Sequence, residues 1–600
     1  MPVQTAGPAR WRRDGLALAF FAVVAVVFTF PVGPGAYDDA LPGDSGDALL
    51  NLWILDWVGH NLGAGWSDLW NTSIFWPNEN TLAYSESLIP VAILHRALSA
   101  VVGSEVLAFN LIYVAAWTLS GWITYLLARR VTRSTGAAVV AGLIATIATP
   151  RLSHYGHFQL AMGFLVPLVV LLLVRFFETP GIGRGALLGF TTGVLTLSTS
   201  YYGLMVLVAL AVLVPGLVVW LRDREDLERT AIGLVVAAVV GAVIVVPVAL
   251  QYRDLQQDAH FRRDPEPSGS AHLADFLRVT PDHYLLADLP PFESRSRPES
   301  ATIENRLYPG LLALALGVVG LVVLVRNRRR LLAQRPVAAR AMFLLVPTAV
   351  LLLVLAFGDE LVVAGRTLWM PYSALRDVPG FSGIRATARF VAFPLLVLAL
   401  LAALGLGALL ARVKRRELRI AIVAVCILAI GAESMMAIDV AETPSDAASR
   451  AVNIELARRD PGPVLELPVG SPADGWPWGY IETPRQYLST IDDQPRVSGY
   501  SGFAPPDFDT TARILETFPS DDAFALVDEL GVRYVVLRTG VPNGLEEFQE
   551  DVVGTDGVGL YSEDSAQAIL DALPRERVER VDRFGDAWLI QLRAPITAQQ

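Results

Sequence analysis

The feature that most limits what this chain can become is the recurrence, eleven times, of apolar runs close to the ~20 residues an α-helix needs to cross a bilayer. They fall at roughly 14–32, 104–128, 136–150, 158–177, 185–200, 202–221, 230–250, 307–325, 338–357, 389–411 and 418–437. The chain is 53% hydrophobic and only 18% charged, against about 25% charged in soluble domains. The fold class this implies is an α-helical polytopic membrane protein of about eleven helices. Arg10, Arg12 and Arg13 precede the first run and Gly33-Pro34-Gly35-Ala36 follows it, a layout shared with cleavable signal peptides; we read it as a retained helix. A formal charge of −11 argues against a nucleic-acid partner, which would require a basic face. The single cysteine, Cys426, lies inside an apolar run, which leaves no disulfide framework or thiolate metal cluster within the chain.

Cytoplasmic loops of membrane proteins carry an excess of Lys and Arg, so the basic residues test the helix count. Arg129, Arg130 and Arg133 follow the second run, Arg175 and Arg184 flank the end of the fourth, and Arg222, Arg224 and Arg229 follow the sixth. Arg326, Arg328, Arg329 and Arg330 follow the eighth, and Arg412, Lys414, Arg415 and Arg416 the tenth. Every even-numbered helix therefore ends inside, which predicts a cytoplasmic amino terminus. The stretch 88–102 is apolar too, but holds His95 and Arg96 at its centre; a charge at mid-bilayer is expensive, so this stretch is placed in the outer interface. The expected organisation is a transmembrane domain, 1–437, with outer loops 33–103, 251–306 and 358–388, and an extracytoplasmic α/β domain, 438–600. Irregular polar sequence gathered on one side predicts that the work is done there.

The first outer loop contains Asp38, Asp39, Asp44 and Asp47 and then a run with Leu49, Leu52, Trp53, Trp57 and Val58 at three- and four-residue spacing. That spacing predicts an amphipathic helix on the membrane surface, with Trp66, Trp70 and Trp76 as interfacial indoles. Asp47 is expected at the helix start, either as a simple N-cap or as a chemical group. Arg151-Leu152-Ser153-His154-Tyr155-Gly156-His157 joins helices three and four, and Tyr201-Tyr202 joins five and six. The two histidines either ligate a metal or contact a phosphate, or belong to a plain interfacial loop. Arg385 and Arg389 lie at an outer helix start, where they either clamp a phosphate or pair with outside acids. In the tail, 464–469, 533–537 and 588–592 read as strands, and 512–518 and 521–530 as helices. The aromatics Trp476, Trp478, Tyr480, Tyr487, Tyr500 and Phe503 either stack on a sugar or dock on the membrane half.

Taken in order, Gly43-Asp44-Ser45-Gly46-Asp47 with Trp53 and Trp57, Phe75-Trp76-Pro77, the Arg151–His157 segment, Ser200-Tyr201-Tyr202, Arg306-Leu307-Tyr308-Pro309-Gly310 and Ser498-Gly499-Tyr500-Ser501-Gly502-Phe503 resemble the GT-C superfamily of membrane glycosyltransferases. More closely, the chain resembles the bacterial proteins filed as YfhO-like, over nearly its whole length. The resemblance implies an inverting transfer of a sugar from a polyprenyl-phosphate-linked donor, embedded in the lipid bilayer, to a glycan, lipid or protein acceptor at the outer face. It also implies that an acid of the first outer loop acts as general base or holds a divalent metal (Mg or Mn). The match falls on Asp47 or Asp44, with Asp38 and Asp39 as substitutes. Family members with an adjacent acidic pair differ from this chain, whose two aspartates are three apart, and this leaves metal use open. A carboxylate within hydrogen-bond reach can take the acceptor hydroxyl's proton, and the departing phosphate needs cations, for which Arg151, His154, His157, Arg385 and Arg389 are the candidates, beside Tyr201 and Tyr202. The alternatives are a non-catalytic glycan-assembly accessory protein and a lipid or solute transporter; the second would carry ionisable groups near the bilayer midplane, where these runs have almost none.

Overall fold

The computed structural model describes residues 8–32, 39–221, 226–263, 267–292, 302–378, 380–474, 477–539 and 561–593. It divides into two compact units, one of Met1–Gly33 with Leu111–Ile438 and one of Pro34–Asn110 with Asp439–Gln600.

In the first unit helices occupy the expected apolar runs, from Pro8–Phe28 to Arg416–Ala432. Seven helices are long and apolar enough to cross a membrane, or eight if Leu311–Arg326 and Arg328–Gln334, bent by 80°, form one span. The other three fall short for simple reasons. Pro8–Phe28 carries Arg10, Arg12, Arg13 and Asp14 in its first turns, while Ile182–Ser198 and Arg416–Ala432 are 17 residues each. The chain is a multi-pass membrane protein. Its outer helices make the point: Leu227–Leu255 is only 11% buried over its most apolar window and turns Val235, Val239, Val243 and Val246 outward, a face that suits lipid and not water.

Lipid tails are as apolar as leucine, so helices associate there by close packing of small residues. A methyl group on Gly320 would meet the Leu401 carbonyl oxygen at 1.8 Å, and one on Gly405 the Leu316 oxygen at 2.2 Å, so Leu311–Arg326 and Ala392–Leu410 pack backbone to backbone. Gly185 and Gly189 do the same for Ile182–Ser198: a methyl group on either would meet a carbonyl oxygen of Leu227–Leu255 at 2.1 Å.

The second unit joins Pro34–Asn110 to the tail. Ala40–Pro42 pairs antiparallel with Val440–Glu442. The tail's four-stranded sheet has Val464–Leu467 parallel to Tyr534–Arg538, then Ala587–Leu592 and Val578–Phe584, both antiparallel. Val452, Leu456, Val464, Tyr534, Val536, Ala587 and Leu589 form its core. Buried beside it, Glu466 accepts from Arg496 Nε and Arg538 Nε, each at 2.9 Å. Burial alone would raise that carboxyl, but the two guanidinium groups hold it at about 2.

The helix predicted to lie on a membrane surface is instead an interior element of this unit. Ser45–Asn61 buries Leu49, Leu52, Trp53 and Val58, and also Leu50, Ile54 and Leu55 on its other side. A surface helix would keep one polar face; here both sides are covered. The stretch 88–102 forms a separate 14-residue helix, Ile89–Val102, too short to span.

Candidate active site

Two groups of polar residues emerge, one in each unit. In the first, a small cavity is lined by Arg151, His154, Tyr202 and Arg389 among apolar neighbours such as Leu395 and Leu396. Arg151 comes from the short helix Thr149–Leu152, which begins after Ala148 interrupts the preceding span, with Pro150 near its start, where a missing N–H costs nothing. Its guanidinium lies over the Trp117 ring at 4.8 Å and donates from Nη2 to the Ala161 carbonyl at 3.0 Å. Its buried Nε finds no acceptor.

His154, one turn on, sits with Nδ1 2.8 Å from the Pro150 carbonyl and Nε2 2.9 Å from Glu304 Oε2. Both partners are acceptors, so a ring with both nitrogens protonated satisfies both. Arg389 holds the same carboxylate from the other side, Nε to Oε1 at 2.9 Å and Nη2 to Oε1 at 2.6 Å. Tyr201 stacks beneath that guanidinium at 4.5 Å. Burial alone would raise the Glu304 carboxyl, but Arg389 and His154 hold it well below the usual glutamate range. The wall thus carries two guanidinium groups against one carboxylate, in a largely apolar setting, and is suited to an anion with an apolar tail.

The remaining residues take supporting places. Tyr202 lines the cavity, and the Arg385 main-chain N–H donates to Tyr201 Oη at 3.4 Å. His157 meets His154 edge to face at 5.5 Å. The reading of this histidine pair as metal ligands fails, because both His154 nitrogens face other partners and, among the described residues, no set of three ligand side chains forms around them. Sequence reasoning missed Glu304 and Trp117. Glu304 stands two residues before the Arg306–Gly310 motif, a signal that was available.

In the second unit Asp44, not Asp47, is the N-cap of Ser45–Asn61: its carboxylate accepts from the Asp47 main-chain N–H at 3.2 Å. That leaves Asp47 in the first turn, at the positive end of the helix dipole, which favours its carboxylate. Tyr480 hydrogen-bonds Asp44, and burial together with the Asp44 and Asp47 carboxylates pushes its phenol up. Asp39 is exposed, with its carbonyl bonded to Thr443; Asp38 and Trp476 lie outside the described residues. For a divalent metal the fit is poor. Among the described residues Asp44 and Asp47 acquire no third His, Cys, Asp or Glu ligand, and Asp44 is already engaged as a cap.

A family model described as "Domain of unknown function (DUF6311)" matches residues 16–431. No curated protein matches the sequence. Among solved structures, the arabinofuranosyltransferase AftD from Mycobacteria aligns with 98% of this chain and 40% of its own, at 16% identity and a TM-score of 0.58. The Archaeoglobus fulgidus oligosaccharyltransferase aligns with 88% of this chain and 69% of its own (14% identity, TM-score 0.49). ArnT from Cupriavidus metallidurans aligns with 97% and 99% (15% identity, TM-score 0.47). This chain spans less than half the length of the mycobacterial enzyme, and the likeness, which rests on that enzyme, is one of fold.

Proposed function

We propose that this chain, which belongs to the DUF6311 family, is a membrane glycosyltransferase that moves a sugar, with inversion, from a polyprenyl-phosphate donor to a glycan, lipid or protein acceptor at the outer face. The observation that carries the reading is the anion-suited cavity of a GT-C-like fold: Arg151, with an unpartnered buried Nε, and Arg389 face it among apolar side chains. In this reading Arg151 and Arg389 receive the phosphate, while Glu304 and Tyr201 fix Arg389 and Glu304 also orients His154. Asp47 takes the proton of the acceptor hydroxyl, with Asp44 as its helix cap. One base suffices, because the departing group is already a phosphate anion, and inversion follows from a single in-line displacement.

The proposal includes the topology: eleven spans, an amino terminus in the cytoplasm, and 438–600 as an extracytoplasmic α/β domain. It also retains the YfhO-like affinity suggested by the motif order.

The phosphate role is tested by binding a labelled polyprenyl phosphate to the purified protein in detergent. A charge-assisted hydrogen bond contributes about 1.5–3 kcal/mol, so Arg151→Gln raises Kd roughly 10- to 100-fold with little change in thermal midpoint. Equal affinity in the two proteins contradicts this assignment.

A further inference from the structure

A third cluster, in the second unit, takes no part in the proposed transfer. Asp56 and His60 lie one turn apart on Ser45–Asn61, so they share a helix face. Glu105 opens the helix Glu105–Thr132, and its carboxyl hydrogen-bonds that of Asp56. His60 Nδ1 stands 2.9 Å from Asp56 Oδ1. One ligand atom from each of the three falls within 4.8 Å of the others.

The cluster is built in advance of any ligand. Asp56 is buried, and the buried His95 fixes the main chain at Glu105, its Nε2 lying 2.9 Å from the Glu105 carbonyl. His60 is partly open to solvent, with 44% of its side chain exposed, and provides a route of entry. Asp493 adds a further acidic group nearby and Arg96 a cation. Facing carboxylates need either a shared proton or a cation between them, and an adjacent imidazole nitrogen favours a cation.

From this geometry we infer that Asp56, His60 and Glu105 bind one divalent first-row transition-metal ion, zinc being the natural probe. A mixed nitrogen and carboxylate donor set suits zinc or its neighbours, whereas magnesium and calcium prefer oxygen alone. Three protein ligands leave a fourth position for water. The ion is separate from the transfer chemistry: Asp56 follows Asp47 by nine residues, about 13 Å along a helix, beyond any metal–ligand bond. Bound there, it ties the helix that carries Asp44 and Asp47 to the first turn of Glu105–Thr132. Binding itself does not depend on the glycosyltransferase reading; only the anchoring role does.

The test is metal analysis of the full-length protein, purified in detergent, equilibrated with zinc and desalted. Wild type is expected to retain about one zinc per chain with a raised thermal midpoint, and Asp44→Asn to retain the same. His60→Ala, whose side chain is exposed enough to be removed without unfolding, and Glu105→Gln lose both the zinc and the shift. Manganese in place of zinc, lost by the same variants, also supports the site. The inference is overturned if wild type retains neither ion, the carboxyls then merely sharing a proton, or if His60→Ala retains as much as wild type. Donor turnover is recorded in parallel: loss of metal binding without loss of turnover leaves the transferase reading standing and removes only the anchoring role.

Discussion

Asp47→Asn is expected to lower the rate of sugar transfer by about 10² to 10⁴-fold, the usual contribution of a positioned general base, while leaving donor affinity and protein level unchanged. The substitution keeps size and shape while removing the negative charge and the capacity to take up a proton. The geometry makes the comparison with Asp44 informative. Asp44 is the residue whose carboxylate caps the helix, and Asn caps about as well as Asp, so Asp44→Asn leaves the helix start intact. A collapse in rate with Asp47→Asn alone assigns the base; a collapse with Asp44→Asn alone moves the role to Asp44. Rates equal to wild type in both remove the carboxylates from the chemistry. Initial rates at saturating donor make the measurement.

The second large effect is on stability. Glu304→Gln leaves Arg389 and His154 facing a neutral amide in a site where all three side chains are at least nearly buried, and breaking a buried pair costs about 3–5 kcal/mol. The thermal or denaturant midpoint should fall accordingly. The pH dependence has a definite sign. Because the folded-state carboxyl is held well below its ordinary value of 4.5, its contribution is fully present above that pH. It is lost as pH falls through the depressed folded value, where protonation breaks the pair. Wild type should therefore lose stability faster than Glu304→Gln on acidification below 4.5, and the two should converge. Parallel midpoints across that range contradict the buried ion pair.

The spans were legible because the lipid requirement acts on each helix separately: an apolar run such as 230–250 needs no knowledge of the rest of the chain to be read. The same holds for the tail strands at Val464 and Tyr534, whose β-branched and aromatic residues declare themselves locally. Ser45–Asn61 was legible as a helix but not as a buried one. Leu50, Ile54 and Leu55 acquire cover from elsewhere in a unit that also includes the distant residues from Asp439 onward, and spacing along one helix cannot reveal that. Val578–Phe584 escaped because Glu579, Arg580, Asp582 and Arg583 fill most of a largely exposed edge strand, so it lacks the apolar signature of its neighbours.

The candidate site divides in the same way. Arg151, His154, Tyr202 and Arg389 could be named from their places at helix ends, and the fold brings them to one cavity. Glu304, which holds two of them, is 150 residues from His154 and 85 from Arg389; its place just before the Arg306–Gly310 motif marks it as worth attention, but nothing local names its partners. The Asp56, His60 and Glu105 cluster was half visible, as an i, i+4 pair, but its third member arrives only by folding.

The central claim is that this chain transfers a sugar from a polyprenyl-phosphate carrier, and one measurement addresses it most directly. Membranes containing wild type are incubated with labelled polyprenyl-phosphate sugars and native membrane acceptors, and label is followed from the lipid-linked to the acceptor fraction. Wild type is predicted to consume one donor and build label into acceptor, with Asp47→Asn, present at the same level, doing neither. If wild type consumes no donor beyond membranes lacking the protein, the glycosyltransferase account is contradicted.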